Sequence, residues 1–335
     1  MKSLVRTIIG CIAIALVATG AWAAWIVVEY PKNIPATFPV TEAQSSPQKI
    51  ARGSYLFNNV ARCVDCHSTR DWTKYAAPVV GGTEGKGGEA FTHAMMGVPG
   101  EFYARNITPT ALADWSDEEI ARAITTGVNK HGEALYPVMP YRNYGELDPE
   151  DVQSLVAYIR TLKPQPDEVP DRSFHFPMQI VVRTLPQPPR FAPRPDPSDR
   201  VAYGGYLVRT AGCAECHGTR SAKGEVKPGM EFAGGMEFHF PEGGLVRAPN
   251  ITPDADTGIG TWSEQQFVSR FKVWERSPER VLPTAQRRNN TVMPWKQLGG
   301  MTRDDLSAIY AYLRTQKPVI HRVVKRDPAV NAAAR

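Results

Sequence analysis

Two short segments of the same pattern contain the residues best suited to chemistry. They are CVDCH, from Cys63 to His67, and CAECH, from Cys213 to His217, and they use four of the five cysteines in the chain. Two cysteines separated by two residues and followed by histidine form the attachment site of a c-type haem. The thiols bond to the haem vinyl groups, and the histidine is an axial ligand of the iron. The pattern predicts two haem c groups, attached through Cys63, Cys66, Cys213 and Cys216 and ligated by His67 and His217.

Two other chemistries use the same cysteine spacing. CxxC is also the motif of a redox disulfide and half of a zinc site. A zinc site would need further Cys or His ligands, and the fifth cysteine, Cys11, lies in an apolar N-terminal segment. A thioredoxin-like motif would belong to a βαβ unit, which the surrounding pattern does not indicate. The histidine that follows both cysteine pairs favours haem.

Several other landmarks recur in the same order, each about 150 positions later. NITP at Asn106 recurs at Asn250, and VMPY around Met139 recurs as VMPW around Met293. DWSDEE likewise corresponds to TWSEQQ, and AYIRTLKP to AYLRTQKP. Landmarks in one order indicate a duplicated domain. The predicted units are residues 48–164 and 198–318, joined by a proline-rich linker at 165–197 and followed by a basic tail at 319–335.

Each copy is predicted to be all-α and to consist mainly of short helices. Pro47 suits the first turn of a helix that leads toward Cys63. Capping boxes mark the start of one helix in each copy, with Ser116 and Glu119 in the first and Ser263 and Gln266 in the second. The last helices are expected to begin at Asp148 and Thr302 and to end at Lys163–Pro164 and Lys317–Pro318.

The linker contains an apolar stretch, FHFPMQIVV, from Phe174 to Val182. An apolar segment of this length is unfavourable in water. We therefore expect it to lie against one or both domains.

Met139 and Met293 are the candidates for the second axial ligand. They occupy matching positions, each followed by proline and an aromatic residue, just before the final helix of their copy. Histidine and methionine ligation is found in many cytochromes c and raises the reduction potential. The alternative is that these methionines only fill the core. The matched position and context favour ligation of the iron in both copies.

The NITP segments and the tryptophans that follow them are candidates for the haem surroundings. Their polar groups could form hydrogen bonds near the haem propionates. They could equally form a turn and a helix-capping element, and the two roles are compatible. The residues are Asn106, Thr108, Trp115, Asn250, Thr252 and Trp262.

The N-terminus contains an uncharged, mainly apolar stretch from Thr7 to Val28, preceded by Lys2 and Arg6. Its length suits a transmembrane helix, and the preceding charges place the rest of the chain outside the cytoplasm. Ala21-Trp22-Ala23 also fits a signal-peptide cleavage site, but the apolar run continues beyond it. We expect an uncleaved anchor at residues 7–28 in the bacterial inner membrane, with the haem domains in the periplasm.

Bulk composition excludes little beyond nucleic-acid binding. The chain has 335 residues, 42% of them hydrophobic and 22% charged, which is ordinary for globular protein. The net charge of +5 comes with no block of basic residues interleaved with aromatic ones. We therefore expect no nucleic-acid partner.

The motifs together resemble the cytochrome c subunits of membrane-bound periplasmic alcohol, aldehyde and gluconate dehydrogenases. The similarity runs from about residue 48 to 318 through CVDCH, CAECH, NITPT, NITPDADTGIGTWS, YPVMPY, VMPW and the AYIRTLKP and AYLRTQKP helices. It implies two tandem class I cytochrome c domains. These would pass electrons from a quinoprotein, flavoprotein or molybdenum dehydrogenase to ubiquinone or a terminal oxidase. Many members of that family have three CxxCH motifs and this chain has two, which leaves the partner and the electron route open.

The resemblance also implies that the first and last helices of each domain cross at a glycine that faces an aromatic residue. The candidate contacts are Gly53 with Tyr158 in the first copy, and Gly204 or Gly205 with Tyr312 in the second.

Two classes of function compete on the sequence alone. Methionine as the second axial ligand of both irons leaves no coordination position for a substrate, which favours an electron carrier without substrate chemistry. A dihaem enzyme, such as a peroxidase or a thiosulfate-oxidising cytochrome, would need an open iron position or a cysteine ligand. No exported cysteine remains for that ligand. A haem-dependent scaffold or sensor has no sequence feature of its own.

Overall fold

The structure of the protein is a computed structural model, and it describes residues 2–30, 34, 45–166, 168–221 and 225–326. It begins with one long helix, α1, Lys2–Glu29. From Leu4 to Glu29 this helix is long and apolar enough to cross a bilayer. It continues without interruption through Ala21 and Ala23, where the sequence offers a cleavage site.

The first repeat contains a framework of short helices. α2, Pro47–Tyr55, runs into a π-helical turn at Leu56–Val60, and α3, Cys63–Cys66, covers the first motif. The remaining helices are α4, His93–Met96; α5, Asp117–Thr126; α6, Tyr141–Tyr144; and α7, Pro149–Ile159.

The second repeat has the same order of principal helices. After α8, Met178–Val181, in the linker come α9, Arg200–Thr210, and α10, Cys213–His217, which covers the second motif. They are followed by α11, Glu264–Lys272; α12, Thr284–Arg287; α13, Trp295–Gly299; and α14, Arg303–Arg314.

Short strands make the all-α prediction incomplete. β1, Ala90–Thr92, β2, Gly100–Tyr103, and β3, Ser173–Phe174, form an antiparallel sheet in the order β1-β2-β3. β4, Glu237–His239, pairs antiparallel with β5, Leu245–Arg247. Segments of two to four residues are too short to give a recognisable alternation of apolar and polar residues. The helices form the framework, and the strands belong to the loops between each motif and its NITP segment and to the linker.

Side-chain caps set the starts of the principal helices. Both predicted capping boxes form, with Ser116 and Ser263 each accepting from the main-chain N–H three residues on. Asp148 and Thr302 cap α7 and α14, as predicted. The two last helices end earlier than predicted, at Ile159 and Arg314. A residue before proline is disfavoured in helical conformation, so the chain leaves the helix before it reaches Lys163 or Lys317.

The predicted glycine crossings are present in both repeats. A Cβ placed on Gly53 would lie 1.8 Å from the Ser154 carbonyl oxygen, and one on Gly204 would lie 1.9 Å from that of Ala308. The neighbouring aromatic residues are Tyr158 and Tyr312, as expected. Glycine therefore lets α2 approach α7, and α9 approach α14, at backbone contact.

The linker is attached to the first repeat along its length. Phe174 pairs with Gly100 in the sheet, and its ring centroid lies 5.2 Å from that of Phe102. Further along, the Arg190 N–H donates to the Gly145 carbonyl at 2.7 Å. The two ends of the apolar stretch are therefore covered, as predicted, with Phe174 in the sheet and Val182 buried, whereas Phe176 between them is 80% exposed. The next residue of the linker, Arg183, contacts α1, since its Nη1 donates to the Val27 carbonyl at 3.3 Å.

The two repeats share one continuous core. Buried residues of both repeats, including Leu56 and Leu155 from the first and Leu207 and Leu306 from the second, form a single apolar cluster.

A loop of the second repeat adds a further contact between the repeats. The Tyr75 N–H donates to the Arg280 carbonyl at 2.9 Å, and the Leu282 N–H to the Thr73 carbonyl at 2.8 Å. Asn290 completes the contact by accepting from the Ala76 N–H. The loop that precedes Met293 therefore joins the second repeat to the first.

Candidate haem attachment sites

Each cysteine pair lies on a single helical turn that starts in the same way. The residue before the first cysteine is left-handed in both copies, with φ 57° at Arg62 and φ 62° at Gly212. The chain then turns into α3 or α10, so the two thiols of each pair project from one short turn. The same backbone geometry therefore presents both motifs.

The thiols behave as buried neutral groups. All four motif cysteines are unpaired and partly buried. Burial raises the pKa of Cys63 and Cys66 to about 12 and that of Cys213 to about 11. A redox-active CxxC motif instead has a lowered thiol pKa, so the disulfide interpretation loses support. Among the described residues, no cluster of three or more His, Cys, Asp or Glu side chains could hold a metal ion, which gives the zinc interpretation no ligand set.

The motif histidines are oriented by main-chain carbonyls. His67 Nδ1 lies 2.7 Å from the Arg105 carbonyl oxygen, and His217 Nδ1 lies 2.8 Å from that of Pro249. A carbonyl only accepts, so each Nδ1 carries the hydrogen and each Nε2 keeps its lone pair. Burial lowers the pKa of both imidazoles, which keeps them neutral. Neutral imidazole with one nitrogen held by a carbonyl is the form that binds a metal.

The NITP segments hold these carbonyls in place. Asn106 accepts from the Thr108 N–H at 2.8 Å and donates from Nδ2 to the Gln165 carbonyl at 3.2 Å. In the second copy Asn250 accepts from the Thr252 N–H at 2.9 Å and donates to the Val319 carbonyl at 2.8 Å.

The asparagines therefore tie the residue that orients each histidine to the chain after the last helix. This arrangement favours the turn-and-cap interpretation of NITP. Arg105 and Pro249, whose carbonyls contact the histidines, were missed by sequence reasoning. Their position directly before NITP in both copies was the available signal.

The methionines occupy equivalent turns. Met139 and Met293 are partly buried, and each carbonyl accepts from the N–H two residues on, at 2.8 and 2.9 Å. The prolines that follow have nearly the same φ, −80° at Pro140 and −82° at Pro294. Each methionine packs against the same buried cluster as the first cysteine, the isoleucine of NITP and the tryptophan of its own copy: Cys63, Ile107, Trp115 and Met139, and Cys213, Ile251, Trp262 and Met293.

The tryptophans are fixed through their main chains. The Trp115 carbonyl accepts from Arg160 Nη2, and Arg160 Nε lies 2.8 Å from Asp117 Oδ1. The Trp262 carbonyl accepts from the Tyr310 hydroxyl at 2.6 Å. Both residues thus join the start of the capped helix to the last helix of their repeat.

The donor set at each motif fits a c-type haem. Each repeat has two thiols on one turn, an imidazole whose Nδ1 is held by a carbonyl, and a methionine that packs against the same buried cluster as the first cysteine. This combination defines a tandem protein of the covalent-haem class.

The sequence comparisons agree with this class. The family model described as Cytochrome c matches residues 50–163 and 201–317. The chain belongs to the cytochrome c family, and the resemblance inferred from the motifs is confirmed.

Curated relatives extend the comparison. The chain is 31% identical to the cytochrome c subunit of alcohol dehydrogenase (quinone) from Gluconacetobacter polyoxogenes, over 81% of this chain and 56% of that protein. It is 31% identical to the fructose dehydrogenase cytochrome subunit of Gluconobacter japonicus, over 82% of this chain and 54% of that protein. It is 30% identical to a diheme cytochrome c-type protein of Cereibacter sphaeroides, over 74% of this chain and 80% of that protein. The chain therefore spans little more than half the length of the two dehydrogenase subunits.

Proposed function

We propose that the chain is a membrane-anchored dihaem cytochrome c that passes electrons from a periplasmic dehydrogenase to ubiquinone or a terminal oxidase. The proposal depends on one observation that recurs in both repeats. His67 and His217 are each oriented by a hydrogen bond between Nδ1 and the main-chain carbonyl of the residue before NITP. The same geometry in two places supports two equivalent iron-binding positions.

In the proposed sites, the chain's own residues attach, orient and enclose the cofactor. Cys63 and Cys66 hold one haem, and Cys213 and Cys216 hold the other. Each bound haem supplies one-electron redox chemistry. His67 and His217 present Nε2, and their carbonyl partners fix the ring planes. Met139 and Met293 are the proposed second axial ligands, and Trp115 and Trp262 pack against the same buried cluster as these methionines.

The domain division supports a carrier in which both haems move as one body. We propose residues 48–164 and 198–318 as the haem domains, 165–197 as the linker and 319–335 as the tail. In the described part of the tail, the Lys325 carbonyl accepts from the Arg247 N–H at 2.9 Å. Residues 327–335 of the tail lie outside the described residues. The shared core and the loop at Arg280 support a fixed spacing between the two domains.

The names of the relatives support a dehydrogenase as the electron donor. Two of them are named as cytochrome subunits of alcohol and fructose dehydrogenases. We infer that this chain likewise accepts electrons from a separate catalytic subunit of the quinoprotein, flavoprotein or molybdenum type. α1 supports attachment to the bacterial inner membrane, with the haem domains in the periplasm.

The test is reduction of the full chain by its partner. The protein is isolated from membranes with its anchor, its haem content is counted from the pyridine haemochrome spectrum, and co-purifying dehydrogenase is identified. Stopped-flow absorbance should show reduction of two haems per chain when the dehydrogenase substrate is added. Replacing Cys66 and Cys216 with Ala, one at a time, should each remove one haem. A haem count other than two, or peroxide turnover with no reduction by any dehydrogenase, would contradict the proposal.

A further inference from the structure

One side chain connects the two motifs directly. Arg62 stands immediately before Cys63, and its Nη2 donates to the Ala211 carbonyl at 2.5 Å, two residues before Cys213. The side chain is 22% exposed, and its Nε is buried with no hydrogen-bond partner among the described residues. Its guanidinium therefore lies between the two attachment turns and is largely shielded from water.

The backbone at Arg62 is unfavourable for arginine. Its φ of 57° and ψ of 37° match those of Gly212, which holds the equivalent position with φ 62° and ψ 35°. Glycine adopts this conformation freely, whereas a residue with a Cβ is destabilised there. A strained residue that the turn itself does not require is a reason to look for a function of its side chain.

The charge of Arg62 has no counterpart in the second copy. In both copies an acidic residue stands inside the motif and an arginine follows it, Asp65 with Arg70 and Glu215 with Arg220. Arg220 pairs with Glu215 at 3.1 Å. In the first copy Arg70 instead pairs with Glu89 at 3.8 Å. The Asp65 carboxylate lies 3.5 Å from Arg62, and neither of its oxygens is hydrogen-bonded. The region between the motifs therefore contains a cation that the second copy lacks, and its removal would leave the Asp65 carboxylate without this ion-pair partner.

We propose that Arg62 is a positioning residue that fixes the two motifs relative to each other and raises the reduction potential of both haems. The inference rests on the proposed dihaem function. A haem held by either motif would accept one electron from the dehydrogenase, and no bond would form or break. A cation between the sites destabilises the oxidised haem, which has the higher positive charge, more than the reduced haem, and therefore raises the reduction potential. This electrostatic effect is strong where water is excluded.

The test is a redox titration of the full chain with its anchor, followed by visible spectroscopy. Arg62→Gly installs the residue that the second copy already uses, so the turn should form without strain. Both midpoint potentials should fall, on the order of a tenfold change in the reduction equilibrium, or about 59 mV for one electron. Arg62→Gln removes the charge with less change in volume and should lower them similarly. Arg62→Lys keeps the charge and should shift them much less.

Arg209→Gln is the matched control. Arg209 also lies between the repeats, pairing with Glu146 at 3.2 Å, but its side chain is 44% exposed and solvent screens it. The two midpoint potentials of the Arg209→Gln variant should equal those of the parent protein. Unchanged potentials in Arg62→Gly and Arg62→Gln, with two intact haem spectra, would overturn the inference. So would equal shifts in the Gly, Gln and Lys variants. A parent protein with fewer than two haems would instead refute the proposed function.

Discussion

Tyr206 donates its hydroxyl hydrogen to Asp151 Oδ2 at 2.6 Å, and the equivalent Tyr55 donates to Asp305 Oδ2 at 2.5 Å. Each tyrosine lies on the first helix of its repeat, and each aspartate lies in the first turn of the last helix of the other repeat. The tyrosine oxygens also accept main-chain hydrogens, from Asp148 at 3.3 Å and Thr302 at 3.0 Å. The duplicated units therefore form the same tyrosine–aspartate contact with each other twice, once in each direction.

Acid should weaken this interface through Asp151. Burial alone would raise the pKa of Asp151, but ion pairs with Arg52 and Arg194 and the Tyr206 hydroxyl hold it below its usual value. A lowered folded-state pKa adds stability above the unfolded pKa of about 3.9, and this stability is lost as pH falls through the folded pKa. Asp151→Asn should reduce the free energy of unfolding by about 3 kcal/mol at pH 7, since it removes the carboxylate of a buried ion pair.

Denaturant titrations of the parent and Asp151→Asn between pH 7 and 3 check this prediction. The difference between the two proteins should shrink as the parent carboxylate becomes protonated. Asp171→Asn is the control, because its carboxylate is fully exposed and lies 3.8 Å from Arg105. A difference that stays constant down to pH 3 would contradict the assignment.

Replacing either methionine should alter one haem and spare the other. Met139→Ala or Met293→Ala should lower the reduction potential of one haem and abolish its weak sulfur-to-iron absorption band in the far red. Redox titration and spectroscopy measure both effects. Met95→Ala serves as a control, since Met95 is also partly buried but has no counterpart in register. Unchanged spectra in both ligand variants would exclude these methionines as ligands.

The helix crossing should tolerate no side chain. In Gly204→Ala the new Cβ would meet the Ala308 carbonyl at 1.9 Å, so α9 and α14 must separate. The free energy of unfolding should fall by at least about 3 kcal/mol. Chemical denaturation followed by circular dichroism measures it. Gly81→Ala, with open space around its Cβ position, should change stability by less than about 0.5 kcal/mol. Equal stability of the two variants would show that the crossing is not close.

The NITP asparagine should contribute mainly to stability. Asn106→Ala leaves the Gln165 and Pro166 carbonyls and the Thr108 N–H without their side-chain partner. A loss of about 2 kcal/mol in unfolding free energy is expected, because the Thr108 N–H is buried and Gln165 is partly buried, so that their polar groups lose a hydrogen bond away from water. Asn289→Ala, at an exposed position, is the comparison. Unchanged stability combined with a lower reduction potential would instead support contact with a haem propionate.

The anchor should remain attached after export. α1 runs through Ala23 to Glu29, and Trp22 and Trp25 lie near its outer end, where aromatic residues favour the membrane interface. Intact mass measurement of the purified protein should include residues 1–23, and carbonate washing of membranes should not release it. A mature N-terminus at Ala24 with release into the soluble fraction would identify α1 as a signal peptide.

The sequence by itself determined the parts that depend on neighbouring residues. The CxxCH spacing, the capping boxes at Ser116 and Ser263 and the recurrence of NITP are local patterns, and each corresponds to a local structure. The glycine crossing at Gly53 also followed from the family resemblance, because only glycine permits that helix contact. Local periodicity could not predict the short strands, since two to four residues have no measurable alternation.

Only the tertiary structure decided which distant groups meet. The contacts of Tyr55 with Asp305 and of Arg62 with Ala211 join residues far apart in the chain, and no local propensity encodes such pairs. They form because both repeats bury apolar surface in one shared core, which brings their polar edges together. The motifs thus predict two haem-binding turns, and the packing of one repeat on the other sets the relation between these turns.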